Sequence, residues 1–254
     1  FPPTRIRLPI LLASGQAFQS LTLSTFSPRP FQKAMADIIT TQIASVVGLA
    51  GVALGWRGGM RRFYGFYDAP TATRYLMYGL VLGAILQIPV LYTVNFTARV
   101  ADTIGALDLV STIAMAFVVT TSITLLIALI GRVDAVRRPG AGATTGWTLG
   151  LGIGAMLAIS CTTFIIEHSP GRSEGALVSM PFGLVLPWME AQLVASHWSG
   201  ARREAVLRSL GSSLVGRCAA LIFLVITLVA FQTPLLILLM LPLLTIGQRR
   251  ADEV

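Results

Sequence analysis

Six long apolar segments dominate this chain and restrict what it can fold into. They cover residues 38–56, 75–96, 104–131, 145–166, 176–196 and 217–247. Each segment is apolar on all sides, and a helix needs roughly 20 such residues to cross a hydrocarbon core of about 30 Å. The alternating pattern of membrane barrel strands is absent. We therefore predict an all-α integral membrane protein, a bundle of about six transmembrane helices (five to seven).

The sixth segment, 217–247, is longer than one upright span requires. Its 31 residues would measure roughly 46 Å as a single helix. Gln232 and Pro234 lie at its midpoint, where a proline removes a helix hydrogen bond and bends the helix. We favour one long, tilted, Pro-kinked helix, with a hairpin of two half-helices as the alternative.

Little of the chain is left for a soluble domain. Only 12% of the residues are charged, about half the share of roughly 25% found in soluble domains. Residues 35–254 are therefore predicted to form a single transmembrane helical domain. Residues 1–34 contain basic residues but no acidic ones, and are rich in serine, threonine and proline. We expect this segment to be poorly ordered or interfacial, either as a targeting segment or as sequence upstream of a start at Met35.

The basic charge of the chain indicates both its partner and its orientation. The formal net charge is +8, and it is placed in short loops between apolar segments. That placement favours the anionic headgroups of a lipid bilayer and argues against nucleic acid. The loops 57–74, 132–143 and 197–217 contain eleven arginines, against two in the loops 97–103 and 167–175. By the positive-inside rule, we expect the three arginine-rich loops on the cytoplasmic or equivalent side.

The stretch GWRGGMRRFYGFYD, residues 55–68, joins the first two segments. It has the arginines, glycines and aromatics of a phosphate or RNA site, but it lacks the Lys-Ser/Thr pair that completes a phosphate loop. Aromatic and basic residues beside a span are typical of the membrane interface. We predict six interface anchors here: Trp56, Arg57, Arg61, Arg62, Tyr64 and Tyr67.

Small residues recur at strict four-residue spacing in the fourth segment. They are Gly146, Gly150, Gly154 and Ala158. Such a ladder forms a groove on one helix face that lets a second helix backbone approach closely. We interpret it as packing inside one bundle, and a dimer face is the alternative.

Two ionisable residues lie inside the predicted spans, and such residues are functional candidates because lipid disfavours them. Asp108 is near the outer end of the third segment, and Glu190 is near the inner end of the fifth. The predicted topology separates them by about 15 Å, too far for a protease-type carboxylate pair. His197 follows Glu190 by two helical turns on the same face. Glu190, His197 and Asp108 are therefore the candidate ion, proton or polar intramembrane site.

Two interpretations of Glu190 stay open. It could carry a proton or ion, or it could pair with basic residues at the inner leaflet, for which Arg202 and Arg203 are the nearest candidates in sequence. Residues 206–214 repeat valine and leucine at helical spacing beside these arginines. That pattern is typical of an amphipathic helix lying on the membrane interface.

The sequence contains no assembled catalytic or metal-binding motif. Cys161 and Cys218 lie in apolar segments with no CxxC or Cys/His cluster around them, so we expect neither a metal nor a cofactor. The favoured function is non-enzymatic: a transporter or permease-like protein, or a structural subunit of a membrane complex. Its partners would be a second copy or other membrane subunits. The alternative is an intramembrane enzyme acting on lipid or peptide bonds through Glu190 and His197, with a hydroxyl such as that of Ser196.

Overall fold

The computed structural model describes residues 29–60, 68–100, 106–133, 142–169, 171–200 and 206–230. These residues form six helices and no strand. The helices are α1 (Arg29–Met60), α2 (Ala69–Val100), α3 (Ala106–Gly131), α4 (Gly142–His168), α5 (Arg172–Gly200) and α6 (Val206–Ala230). Residues up to Ile39 belong to one compact unit and Thr40–Val254 to a second, and the packing described below is that of the second unit.

Five of the helices are long and apolar enough to cross a membrane, which confirms the predicted all-α membrane bundle. The candidate spans are Asp37–Gly59, Ala69–Phe96, Val110–Gly131, Gly142–His168 and Ser173–Trp198. With 22 to 28 residues each, they measure about 33–42 Å and exceed the roughly 30 Å of a hydrocarbon core. Helix α1 begins at Arg29 and so includes the last six residues of the predicted N-terminal segment 1–34. Residues 1–28 of that segment lie outside the described residues.

The connection between the fifth and sixth segments differs most from expectation. The connection is shorter than the loop predicted over residues 197–217, because α5 continues to Gly200 and α6 begins at Val206. Residues 206–214 are the first turns of α6 and not a separate interfacial helix. The predicted kink at Gln232 and Pro234 lies outside the described residues.

The surface of the second unit is more apolar than parts of its interior. On α2 one helical stripe is 54–66% exposed: Met77, Tyr78, Val81, Ile85, Ile88 and Tyr92. Glu190, His197 and Arg217 are instead buried among the helices. A soluble domain places these residue types the other way round and rarely exposes so long an apolar stripe. The distribution matches a protein whose solvent is lipid.

The hydroxyl groups of α3 show how polar residues are tolerated in such a span. Thr120, Thr121, Ser122 and Thr124 each donate a hydrogen bond to the carbonyl four residues earlier in the same helix. The hydroxyl hydrogens are thereby satisfied without water. This run therefore remains compatible with an apolar environment, while its oxygens can still accept bonds from other helices.

Helix α4 is the central element of the bundle. Its candidate span is 78% buried, against 28–56% for the other four. It packs most extensively against α5 and next against α2. Its residues therefore determine how closely its neighbours can approach.

The predicted small-residue ladder of α4 packs against α5 within this chain. A Cβ atom added at Gly146, Gly150 or Gly154 would lie 3.1, 2.6 or 2.5 Å from a Cα atom of α5. Those Cα atoms belong to Ala195, Ala191 and Pro187, respectively, so the two four-residue ladders meet in antiparallel order. Ala158, one step further along α4, is fully buried. At these three glycines α4 therefore lies close against the backbone of α5.

Two tryptophans join helices through the same local arrangement. The Trp147 indole on α4 donates to the Gly55 carbonyl of α1, and the Trp198 indole on α5 donates to the Ile127 carbonyl of α3, both at 3.2 Å. Four residues after each acceptor comes a glycine, Gly59 or Gly131, against which the ring lies. The missing Cβ leaves the carbonyl open to the indole. The ends of α1, α3 and α5 and the start of α4 therefore lie at one end of the bundle.

We expect Trp147→Phe to lower the free energy of unfolding by about 0.5–1.5 kcal/mol more than Trp188→Phe does, because only the first removes a formed hydrogen bond. The buried Trp188 indole nitrogen has no hydrogen-bond partner among the described residues. Both substitutions shorten a tryptophan between helices, so Trp188→Phe is the matched control. The measurement is reversible unfolding in mixed micelles. Equal losses for the two variants would contradict a stabilising Trp147–Gly55 bond.

The structure describes only part of the predicted interface anchors. Arg57 is exposed near the end of α1, and Trp56 packs partly buried against a core cluster that includes Trp147. The side chain of Asp68 caps α2 by accepting a bond from the Thr71 backbone N–H. The remaining four anchors, Arg61, Arg62, Tyr64 and Tyr67, lie outside the described residues.

Candidate functional site

A buried ion pair joins α5 and α6. Glu190 on α5 is 3% exposed and Arg217 on α6 is 4% exposed. Arg217 Nη2 donates to Glu190 Oε2 at 2.7 Å, and Arg217 Nε lies 3.1 Å from both carboxylate oxygens. This side-on contact uses the planar fork that suits a guanidinium to a carboxylate.

The other terminal nitrogen of Arg217 is bound to two hydroxyls. Nη1 donates to Ser213 Oγ at 2.6 Å and to Thr124 Oγ1 at 3.1 Å. Thr124 belongs to α3 and donates its own hydrogen to the Thr120 carbonyl, so its oxygen is free to accept from the arginine. The guanidinium therefore holds α3, α5 and α6 together through one set of hydrogen bonds.

The opposite charges of Glu190 and Arg217 reduce the cost of burying either residue in the membrane-spanning region. A single ionised side chain at the centre of a transmembrane helix is disfavoured by about 2.5–3.5 kcal/mol on insertion scales. Glu190 lies eight residues before Trp198, the end of its candidate span, and is therefore about 12 Å inside that end. At this depth the pair is neutral overall, and three hydrogen bonds satisfy its carboxylate.

A cavity of about 40 Å³ adjoins the ion pair, enough for about three water molecules. Helices α2 to α6 all contribute to its wall. The lining residues are Val90, Thr120, Ile123, Leu157, Cys161, Phe182, Leu186, Met189, Glu190, Arg217, Ala220 and Leu221. Glu190 and Arg217 are the charged members of a wall that is otherwise mainly apolar.

Of the other predicted site residues, the structure describes the side chain of His197 but not that of Asp108. His197 is buried two turns further along α5, and neither it nor Ser196 belongs to the cavity wall. The enzyme alternative required Glu190, His197 and Ser196 to converge around one pocket, and this cavity does not bring them together. Asp108 is the third residue of α3, and its side chain lies outside the described part of the structure.

Sequence reasoning missed the partner of Glu190. The predicted loop 197–217 includes Arg217, and Arg202 and Arg203 are the basic candidates nearest to Glu190 in sequence. A usable signal was present, because Ser213 and Arg217 are four residues apart and continue the helical spacing that begins at Val206. A carboxylate inside a span also needs a positive partner at similar depth, and Arg217 is the first residue of the sixth apolar segment.

The part of the chain that the structure describes contains no set of side chains arranged to bind a metal ion. No group of three His, Cys, Asp or Glu side chains lies close enough there to hold a metal ion. Cys161 and Cys218 are free thiols, and Cys218 Sγ lies 2.8 Å from the Thr120 hydroxyl. The chemistry of the described site is thus that of a carboxylate, a guanidinium and hydroxyls beside an apolar cavity.

No protein-family model, curated protein or solved structure matches this chain.

Proposed function

We propose that this chain is a non-enzymatic transport component of a membrane, with the cavity beside Glu190 and Arg217 as its solute-binding centre. One observation carries the proposal: the intramembrane ion pair lines a cavity. An ion pair that only joins helices needs no adjoining space. A solute in this cavity can contact the carboxylate and the guanidinium while both side chains stay inside the bundle.

The local structure of α5 supports movement at this point. Pro187 lies within the helix, three residues before Glu190, and Pro181 lies six residues before Pro187. A proline in a helix lacks the N–H that would bond to the carbonyl four residues before it. The backbone of α5 is therefore less constrained next to Glu190 than in a regular helix, which would allow the cavity to open.

The orientation and surroundings form part of the same proposal. Arg57 and Arg132 are exposed at the ends of α1 and α3, and Arg74 is exposed near the start of α2. The two tryptophan hydrogen bonds and the edge-to-face contact of Tyr75 with Trp198, whose ring centroids are 6.5 Å apart, place these helix ends together. We propose that this end faces the cytoplasm, and that the exposed apolar stripes contact lipid or further subunits.

Transport requires the cavity to open to water on each side of the membrane in turn, and a native residue can report this. Cys161 lines the cavity and is 2% exposed. Because the chain has two cysteines, Cys218→Ser leaves Cys161 as the only thiol and retains a hydroxyl beside Thr120. In sealed vesicles of known orientation, we expect a small water-soluble methanethiosulfonate reagent to modify Cys161 from either side.

A cysteine at position 162 provides the matched control. Thr162 is fully buried beside Cys161 but is not part of the cavity wall, and its hydroxyl has no hydrogen-bond partner among the described residues. Thr162→Cys in a protein with Cys161→Ser and Cys218→Ser should stay unmodified until the protein unfolds. If Cys161 reacts from neither side in the folded protein, the site is a sealed structural joint and the transport proposal is wrong.

A further inference from the structure

We propose that the solute is a small monocarboxylate, which replaces the Glu190 carboxylate at Arg217 while Glu190 takes up a proton. The inference rests on the transport function proposed above and names the solute class of the same cavity. It follows from three features of the site: a preformed carboxylate-binding fork, a neutral total charge, and a small apolar cavity.

The binding fork is formed by Arg217 and is already occupied by a carboxylate. Its Nε and Nη2 atoms contact the two oxygens of Glu190. Thr124 and Ser213 hold Nη1 from the opposite direction, so the guanidinium keeps its position when Glu190 leaves. A free carboxylate presents the same two oxygens in the same planar geometry. The fork is therefore preorganised for this group.

Charge balance links the exchange to a proton. The charges of ionised Glu190 and Arg217 sum to zero. Adding an anion alone would leave a net negative charge at this depth in the membrane, which is disfavoured. A proton on Glu190 restores neutrality. Besides Glu190, the ionisable residues of the cavity wall are Arg217 on α6 and Cys161 on α4. Outside the wall, His197 lies two turns further along α5 and Cys218 follows Arg217 on α6. The cavity residues from α2 and α3 are not ionisable, so Glu190 is the group that can accept the proton.

The cavity limits the solute to one charge and a few atoms. Its volume is about 40 Å³, and the exchanged Glu190 side chain adds further space when it moves. Leu157, Met189 and Leu221 are among the apolar residues of the wall. A second charge on the solute would face these apolar side chains without a partner, which is strongly unfavourable. A short apolar tail fits them.

Protection of Cys161 from modification tests the inference, because a solute in the cavity blocks the thiol. In the Cys218→Ser protein we expect acetate at ten times its Kd to slow modification about tenfold by mass action. Acetamide, which has the same shape without the charge, and methylammonium, which has the opposite charge, should give no protection. Chloride tests whether the planar fork matters and should protect less than acetate. Each rate is compared with the solute-free rate at the same pH.

The proton requirement is tested by pH and by one variant. Acetate should protect more strongly at about pH 6 than at about pH 8, where fewer protons are available to a carboxyl group. Glu190→Gln imitates the protonated carboxyl, so acetate protection should persist in it and lose its pH dependence. Arg217→Lys retains the charge without the fork and should reduce protection. Thermal unfolding of each variant identifies any that fail to fold, and the comparison of the four solutes needs no variant at position 190 or 217.

The outcomes separate this inference from the transport function on which it rests. If Cys161 is modified from both sides but acetate protects no better than acetamide, or if chloride protects equally well, the monocarboxylate assignment is wrong and transport stands. If acetate protects equally at both pH values in the Cys218→Ser protein, the coupling to a proton is wrong. If Cys161 cannot be modified in the folded protein, both proposals fall together.

Discussion

Arg217→Met and Glu190→Leu should each lower the free energy of unfolding by about 3–5 kcal/mol, because each leaves the opposite charge buried without a partner. The double variant should lose far less than the sum. It removes both charges and fills the site with apolar groups of similar volume, a change that is often neutral or stabilising. In all three variants Thr124 keeps its hydrogen bond to the Thr120 carbonyl. The free energy that the double variant still loses therefore comes from Ser213, whose hydroxyl no longer accepts a hydrogen bond from Arg217.

Reversible unfolding of the four proteins in mixed micelles gives the coupling energy of the pair as a double-mutant cycle. Arg57→Met is the control for loss of one positive charge, because Arg57 is exposed near the end of α1, and it should stay within about 0.5 kcal/mol of the original protein. Losses for the double variant equal to the sum of the single losses would show that Glu190 and Arg217 do not interact. In the double variant, acetate should also no longer protect Cys161 from modification. This second measurement distinguishes the role of the Glu190–Arg217 pair in solute binding from its role in stability.

Gly150→Ala and Gly211→Ala are the same substitution with opposite expected signs. A Cβ at Gly150 would lie 2.6 Å from both the Ala191 Cα atom and the Glu190 carbonyl oxygen, so α4 and α5 must separate at this contact. Overpacking of this kind lowers the free energy of unfolding by about 1–3 kcal/mol. Gly211 is exposed on α6 and has no atom within 4 Å of such a Cβ. There alanine should stabilise the helix by about 0.5–1 kcal/mol.

The comparison is made by unfolding in mixed micelles, with helix content checked by circular dichroism. Because both substitutions add one methyl group to a helical glycine, helix propensity alone would predict a gain at each position. A gain at Gly150 would mean that α4 and α5 are further apart than the structure places them. Since residue 150 lies against the backbone of Glu190, its alanine variant should also alter the rate of Cys161 modification, whereas the Gly211 variant should not.

Much of the architecture could be predicted from the sequence because it depends on local properties. An apolar segment of 20 or more residues must satisfy its backbone internally in lipid, and a helix does so. The five spans of the structure therefore contain the first five apolar segments, apart from residues 104–109 of the third. The four-residue ladder from Gly146 to Ala158 likewise predicts close packing whatever the partner is, because it is a property of one helix face.

The identity of each partner could not be predicted, because it depends on how separate helices are arranged in space. The ladder alone does not say that its partner is the row of Ala195, Ala191 and Pro187 on α5. Arg217 is 27 residues after Glu190 and stands at the edge of an apolar segment, where hydropathy favours a loop. Only the continuation of α6 through this position carries the guanidinium into the bundle.

The sequence by itself determined the environment of this protein, its helical class and the presence of a carboxylate at depth in a span, since each follows from the residues of one segment. The tertiary structure decided that this carboxylate pairs with Arg217, that Thr124 and Ser213 hold the arginine, and that His197 is not part of the same cavity. Hydropathy reports the free energy of moving one segment from water to lipid. An ion pair depends on the distance between two segments, which is known only once the helices have packed.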